Sequence, residues 1–264
     1  MFQEMSTTLS KGAVKYLKGG KGRPLVHLHG AGGVRRNKGL ELLAEDVTLF
    51  MPILPGFDDT PELAGVDSME TLADLVAEFI DKEIGEPADV LGMSFGGWLA
   101  TWLAVRHPKT VAQLCLENPA GFRPKDVPAP SNDPAIRKQQ MYAYPDRAPA
   151  ETKTEDVLAK NRSMLQHYHG DTSFDEKLAG QLDKVECLTM IMHGTRDRRV
   201  PEAAVQILKR GIPRSHLIYV YDAAHSMESD QPERFAHLVS DYMERAEAFL
   251  VNQGTPEGRP QQVL

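Results

Sequence analysis

The feature that most constrains this chain is the stretch Ala88-Asp89-Val90-Leu91-Gly92-Met93-Ser94-Phe95-Gly96-Gly97-Trp98, where a short apolar run breaks at Gly-x-Ser-x-Gly and an apolar helical pattern begins. The pattern reads as a strand turning sharply into a helix, with Ser94 displayed at the turn. Glycine at positions 92 and 96 leaves room for backbone to crowd the serine from both sides. Taken alone the pentapeptide is a weak signal, arising by chance in roughly one chain in ten of this length at average glycine and serine usage. Its context carries the argument. Val90 and Leu91 lead in, and Trp98, Leu99, Trp102, Leu103 and Val105 recur at helical spacing behind it.

A length of 264 residues suits one large α/β domain built on a single sheet, here with one insertion. A formal charge of -7 gives no basic footprint, which argues against nucleic acid or an anionic membrane as partner. The two cysteines, Cys115 and Cys187, both lie in apolar runs that read as strand. Buried thiols are therefore expected rather than a bridge, and a cytoplasmic location with them. The N-terminus lacks a basic region followed by an apolar core, and no run of about 18 apolar residues occurs, so neither a secretory signal nor a membrane span is expected.

Along the chain, residues 7–10 and 13–17 flank Lys11-Gly12 as a hairpin, and residues 25–28 and 47–51 read as strands. Residues 67–83 form the clearest helix, with Asp67 as N-cap, Glu70 in the capping-box position and an apolar stripe of Leu72, Leu75, Val76, Phe79 and Ile80. Residues 111–116 read as a strand ending at Glu117-Asn118-Pro119. From 120 to 184 the β pattern disappears, prolines cluster, and helices are expected over 133–142, 154–167 and 173–185. The sheet resumes at 188–192, followed by a helix at 201–210, a strand at 217–221 and a closing helix at 232–250. The tail 252–264 is polar and expected to fray. Strands alternating with helices predict a mostly parallel sheet with helices on both faces.

The stretch around Ser94 resembles the nucleophile elbow of the α/β-hydrolase superfamily. Three further motifs support the likeness in the same chain order: His29-Gly30-Ala31-Gly32-Gly33, Gly194-Thr195-Arg196-Asp197 with Pro201, and Asp222-Ala223-Ala224-His225. The resemblance runs from about residue 10 to about residue 250. It implies an α/β-hydrolase core over 1–119 and 185–264, with 120–184 as a small helical cap that encloses the pocket and sets substrate choice.

A serine hydroxyl is a poor nucleophile near neutral pH and needs a base, itself oriented by a third group. The superfamily order of serine, acid and histidine is met by Ser94, Asp197 and His225. Glu117, also at a strand's C-terminal end, is the alternative acid. An acyl-transfer oxyanion needs preorganised donors. The Phe95 amide follows the nucleophile directly, and the resemblance to the His-Gly-x loop makes Ala31 the second. The glycine-rich run lacks the Gly-Lys-Ser/Thr ending of a phosphate loop and the spacing of a dinucleotide fold. His27-x-His29 and His167-x-His169-x-Asp171 invite a metal reading, but Thr172 stands where the metallo-β-lactamase motif that the second resembles has histidine, and no metal is expected. His27 reads as a packed strand histidine. Met141, Tyr142, Tyr144, Met164 and Tyr168 could line a pocket or form cap core.

These readings converge on a cofactor-free serine hydrolase of a small or medium carboxylic ester or lactone, with a homodimer left open. Serine at the elbow argues against the dehalogenase and epoxide-hydrolase branches of the superfamily, which use aspartate there. Carbon-carbon hydrolases of vinylogous diketones resemble the chain in length and cap position. They carry Gly-Asn-Ser at the elbow and a tryptophan soon after the histidine, whereas here Met93 precedes the serine and Ser226-Met227-Glu228 follows His225. A non-catalytic ligand receptor on the same fold is the remaining alternative.

Overall fold

The computed structural model describes residues 2–131 and 133–249; the tail expected to fray lies outside the described residues, as does Leu250 at the end of the expected closing helix. An eight-stranded sheet runs in the order β1-β2-β4-β3-β5-β6-β7-β8. Its strands are β1 (Gln3–Leu9), β2 (Gly12–Gly20), β3 (Arg23–Leu28), β4 (Val47–Pro52), β5 (Ala88–Met93), β6 (Val111–Glu117), β7 (Leu188–Gly194) and β8 (Ser215–Val220). β2 pairs antiparallel with both β1 and β4, and the other pairings are parallel. This is the mostly parallel sheet that the alternation of strands and helices predicts, and it brings the C-terminal ends of β3, β5, β6, β7 and β8 to one edge.

The helices are α1 (Lys38–Leu43), α2 (Met69–Glu83), α3 (Phe95–Arg106), α4 (Pro134–Met141), α5 (Glu155–His169), α6 (Glu176–Ala179), α7 (Glu202–Gly211), α8 (Met227–Asp230) and α9 (Pro232–Arg245). One face of the sheet is covered by α2, α3 and α7 through Phe79, Leu99, Trp102, Val205 and Leu208. The other is covered by α1 and α9 through Leu40, Leu43, Phe235, Val239 and Tyr242. α3 is buried on every side from Phe95 to Val105, so it carries apolar residues all round rather than in a stripe. Its two tryptophans still need acceptors for their indole N–H groups. Both donate to Asp175 Oδ2 at 2.8 Å.

Several local expectations are corrected. The hairpin turn is Ser10-Lys11, because Leu9 pairs with Gly12 and Glu78 holds both the backbone N–H and the hydroxyl of Ser10 at 2.6 Å. The N-cap of α2 is Ser68, not Asp67. Its hydroxyl accepts from Thr71 N at 3.2 Å while the Thr71 hydroxyl accepts from Ser68 N at 3.1 Å, so Thr71 and not Glu70 completes the capping box. Glu70 pairs instead with Lys177. The helix expected over 173–185 is only α6 and a 3-10 turn at Leu182–Lys184. Asp175 Oδ1 caps α6 at Leu178 N, and the chain leaves the helix at Gly180. α9 stops at Arg245, where Ala246 takes φ +47°. α1 has no counterpart among the expected helices. Cys115 and Cys187 are buried free thiols, and no helix among the described residues is long and apolar enough to cross a membrane.

Candidate active site

β5 ends at Met93, and Ser94 follows in a strained conformation, φ +54° and ψ -112°. Backbone of this kind costs on the order of 1–3 kcal/mol and persists only where its surroundings hold it. Here the Ser94 N–H donates to Glu117 O at 2.9 Å, while Ser94 O accepts from Gly97, Trp98 and Ala120 N–H groups at 3.0–3.1 Å. A Cβ on Gly92 would lie 2.4 Å from Gly96 O, and one on Gly96 would lie 2.0 Å from Leu28 O, so neither glycine can be replaced without moving backbone. The serine is left partly exposed above a buried helix.

Asp197 lies in the turn after β7 and His225 in the turn after β8. Asn118, at φ +42° just past β6, ties the two turns together. Its Nδ2 donates to Ala224 O at 3.0 Å and His225 O at 3.1 Å, and its Oδ1 accepts from Gly194 N at 3.0 Å. The result is a chain of short contacts. His225 Nδ1 stands 2.9 Å from Asp197 Oδ2, and His225 Nε2 stands 2.9 Å from Ser94 Oγ. The Asp197 side chain has no exposed surface and that of His225 only 4%. Burial pushes the Asp197 carboxyl up, but the His225 charge, the His225 hydrogen bond and the N–H groups of Val200 and Arg199 outweigh it, leaving Asp197 below the usual carboxylate range. An ionised carboxylate can only accept, so Nδ1 carries the hydrogen and Nε2 is free to accept from the serine.

Glu117 occupies a different place. Its side chain is fully buried, Oε1 accepts from Met227 N at 3.1 Å, and Oε2 has no hydrogen-bond partner among the described residues. Burial, and then the neighbouring Glu228 carboxylate, hold the Glu117 carboxyl well above its ordinary range. His225 Nδ1 is thus in contact with Asp197, while Glu117 braces the backbone of α8 behind it.

The turn after β3 packs against the serine: a Cβ on Gly30 would come within 3.4 Å of Ser94 Cβ. Within it, Gly30 O accepts from Gly33 N at 3.0 Å and lies 2.8 Å from His29 Nδ1. Leu54 N donates to His29 Nε2 at 3.2 Å, so the ring hydrogen sits on Nδ1 and points at Gly30 O. Burial pushes His29 down to about 4, against the pull of Asp58 and Gly30 O, which keeps the ring neutral. Gly30 O and Ala31 N–H belong to one planar peptide and face opposite ways. Anchoring the oxygen therefore fixes where the amide points. Among the described residues neither Ala31 N–H nor Phe95 N–H donates to another protein group.

The other sequence candidates fall elsewhere. His27 is buried within β3, and burial followed by the nearby His29 lowers it to about 3. His167 lies near Val66 O and Glu62, and His169 stacks on Trp98 at 4.8 Å, so the two do not converge. Met164 and Tyr168 are core residues, with Tyr168 donating to Pro55 O at 2.9 Å, whereas Met141, Tyr142 and Tyr144 are half-buried. Sequence reasoning missed the tethering role of Asn118 and the orienting role of His29. The first had a signal, since asparagine is one of the few residues that tolerates positive φ and it stands at a strand's C-terminal end.

A family model described as the alpha/beta hydrolase family matches residues 25–238. The chain is similar to a pimeloyl-[acyl-carrier protein] methyl ester esterase of Neisseria meningitidis serogroup C, at 31% identity over 72% of this chain and 81% of the relative. It is also similar to a 2-hydroxymuconate semialdehyde hydrolase of Pseudomonas putida, at 27% identity over 87% of this chain and 90% of the relative. Among solved structures, a meta-cleavage product hydrolase from Pseudomonas fluorescens shares the fold at a TM-score of 0.76, with 20% identity and coverage of 92% of this chain and 98% of that one.

Proposed function

The chain belongs to the alpha/beta hydrolase family, and from that premise we propose that it is a serine hydrolase cleaving a small or medium carboxylic ester or lactone through an acyl-enzyme, with residues 120–184 as its cap and the cytoplasm as its compartment. The observation that carries the reading is His225 standing 2.9 Å from both Ser94 Oγ and Asp197 Oδ2. As Ser94 Oγ attacks the carbonyl carbon, its proton passes to His225 Nε2 while Asp197 holds Nδ1–H and stabilises the imidazolium. The carbonyl oxygen becomes an oxyanion that accepts from the N–H groups of Phe95 and Ala31, each worth about 3–4 kcal/mol in the transition state. Collapse breaks the bond to the alkoxy oxygen, which leaves with the proton from His225. Water, deprotonated by the same nitrogen, attacks the acyl carbon and releases the acid and Ser94.

Similarity to a 2-hydroxymuconate semialdehyde hydrolase over most of both chains favours a second reading, cleavage of a carbon-carbon bond in a vinylogous diketone. Met93 before the serine and Ser226-Met227-Glu228 after the histidine weigh against it. One panel separates these and the receptor alternative: p-nitrophenyl esters, lactones and a vinylogous diketone, offered to the wild-type protein. Turnover of esters or lactones with little of the diketone is expected. Preferential diketone turnover would replace the first reading by the second, and no turnover of any would leave the receptor.

A further inference from the structure

The turn bearing Ala31 is also gripped from outside, by side chains of the 120–184 segment. Lys153, in the irregular stretch before α5, donates through Nζ to Gly32 O at 2.7 Å and to Asp58 Oδ1 at 2.5 Å. Asp58 Oδ2 in turn accepts from Val34 N at 2.7 Å. Asn161, on α5, closes the cluster: its Nδ2 donates to Asp58 Oδ1 at 2.9 Å, and its Oδ1 accepts from Asp58 N at 2.9 Å. Asn161 is fully buried, and the Lys153 and Asp58 side chains are each only 14% exposed. Asp58 and Asp59 both take positive φ, at +49° and +61°, a local cost that the surrounding bonds must offset. The fit leaves no slack, since a Cβ on Gly33 would meet Asp58 Oδ1 at 2.1 Å.

These bonds divide the support of the turn in two. His29 holds the Gly30 carbonyl from within the core, and Gly33 N holds it from across the turn. The limb from Gly32 to Val34 is held by Lys153 on its carbonyl and Asp58 on its amide. Asp58 itself is held by Lys153 and Asn161, both from the inserted segment. Removing the ammonium would leave the Gly32 carbonyl without its donor and the Asp58 carboxylate without its counter-charge in a largely buried place, with only Asn161 and Val34 N left on that carboxylate, and the limb would loosen toward water. The Gly32 carbonyl and the Gly33 N–H belong to one planar peptide, so by holding that carbonyl Lys153 also aims the Gly33 N–H that donates to Gly30 O, and through it the Ala31 amide.

We propose that Lys153, acting with Asp58 and Asn161, is a positioning residue that sets the Ala31 amide for the oxyanion, and that it does so only while the 120–184 segment is seated on the core. The inference rests on the oxyanion role assigned to Ala31 above. It couples seating of the segment to catalytic competence: a substrate that displaces Lys153 on entry is not acylated until the segment settles again. The cluster does not touch the reacting atoms, so its signature is in the transition state and not in substrate binding.

The test compares wild type with Lys153→Met, Lys153→Arg and Asn161→Ala on p-nitrophenyl acetate, a substrate too small to need the inserted segment for binding. Lys153→Met is expected to lower kcat by about 10²-fold, as for a misplaced oxyanion donor, with KM changed less than about threefold. Affinity for a boronic acid, which forms a tetrahedral adduct at the serine, should fall in parallel. Lys153→Arg should restore most of both, and Asn161→Ala should give the same pattern more weakly. If Lys153→Met does not fold, Lys153→Gln carries the same comparison. A loss of thermal stability alone, with kcat and boronate affinity unchanged, overturns the proposal, as does a rise in KM at constant kcat. If wild type neither hydrolyses the ester nor is labelled by a fluorophosphonate, the hydrolase reading itself has failed and takes this inference with it. A labelled, active wild type with an equally active Lys153→Met variant refutes the clamp alone.

Discussion

His225 has one hydrogen to place on its two ring nitrogens, and the group at Nδ1 decides where it goes. With Asp197 at 2.9 Å the hydrogen stays on Nδ1 and Nε2 faces Ser94 as an acceptor. An asparagine at 197 can donate its amide hydrogen to Nδ1, which drives the ring hydrogen to Nε2 and removes the base. Asp197→Asn is therefore expected to cost on the order of 10⁴ in kcat with the fold retained. Glu117→Gln should cost far less, because glutamine keeps the oxygen that accepts from Met227 N and no proton passes through it. Steady-state kinetics on the two purified variants, matched by circular dichroism, checks the ranking; the reverse order would assign the acid to Glu117. Sequence order alone left both acids open at this point. Each stands at the C-terminal end of a parallel strand, and what separates them is the direction in which a turn aims a side chain.

At the scale of elements, two local devices carry measurable stability. Ser68→Ala removes the side-chain cap of α2 and should cost about 1 kcal/mol, whereas Asp67→Ala should cost much less. Urea denaturation of both variants tests the corrected cap. Asp175→Ala leaves two buried indole N–H groups without an acceptor and uncaps α6, so a loss of about 2–4 kcal/mol is expected. A loss under about 1 kcal/mol would mean that water replaces the carboxylate there. These same elements mark what could be read in advance. The strands and α2 were legible because apolar period and turn residues agree along them, and the elbow because glycine, serine and glycine fall between a strand pattern and a helix pattern. The helix expected over 173–185 starts late because Asp175 caps it while held by tryptophans more than seventy residues earlier in the chain, a contact with no local trace, and it ends early at Gly180. α1 escaped because six residues hold less than two turns of periodic pattern. The cluster of Lys153, Asp58 and Asn161 was illegible for the same reason as Asp175: Asp58 lies 95 residues before Lys153 and 103 before Asn161, and they meet only in the fold.

For the molecule as a whole, Glu117 sets a pH dependence of stability. The folded protein holds its carboxyl well above the ordinary range, so it keeps a proton there that the unfolded chain releases. This contribution is fully present below the unfolded value and declines as pH rises toward the folded one. Glu117→Gln removes the ionisation, and thermal melting between about pH 5 and about pH 9 should show the variant gaining on wild type as pH rises. A constant difference across that range would mean that Glu117 is ionised in the fold. Ser94, at the edge where the strand ends gather, is the group on which the functional account depends, and intact-protein mass spectrometry after a fluorophosphonate probe tests it most directly. One adduct per chain is predicted, mapped to Ser94 by peptide sequencing and absent from Ser94→Ala, with ester hydrolysis by that variant lower by about a million-fold. An adduct on another residue, or an unlabelled Ser94→Ala variant that still turns over ester at the wild-type rate, would contradict it.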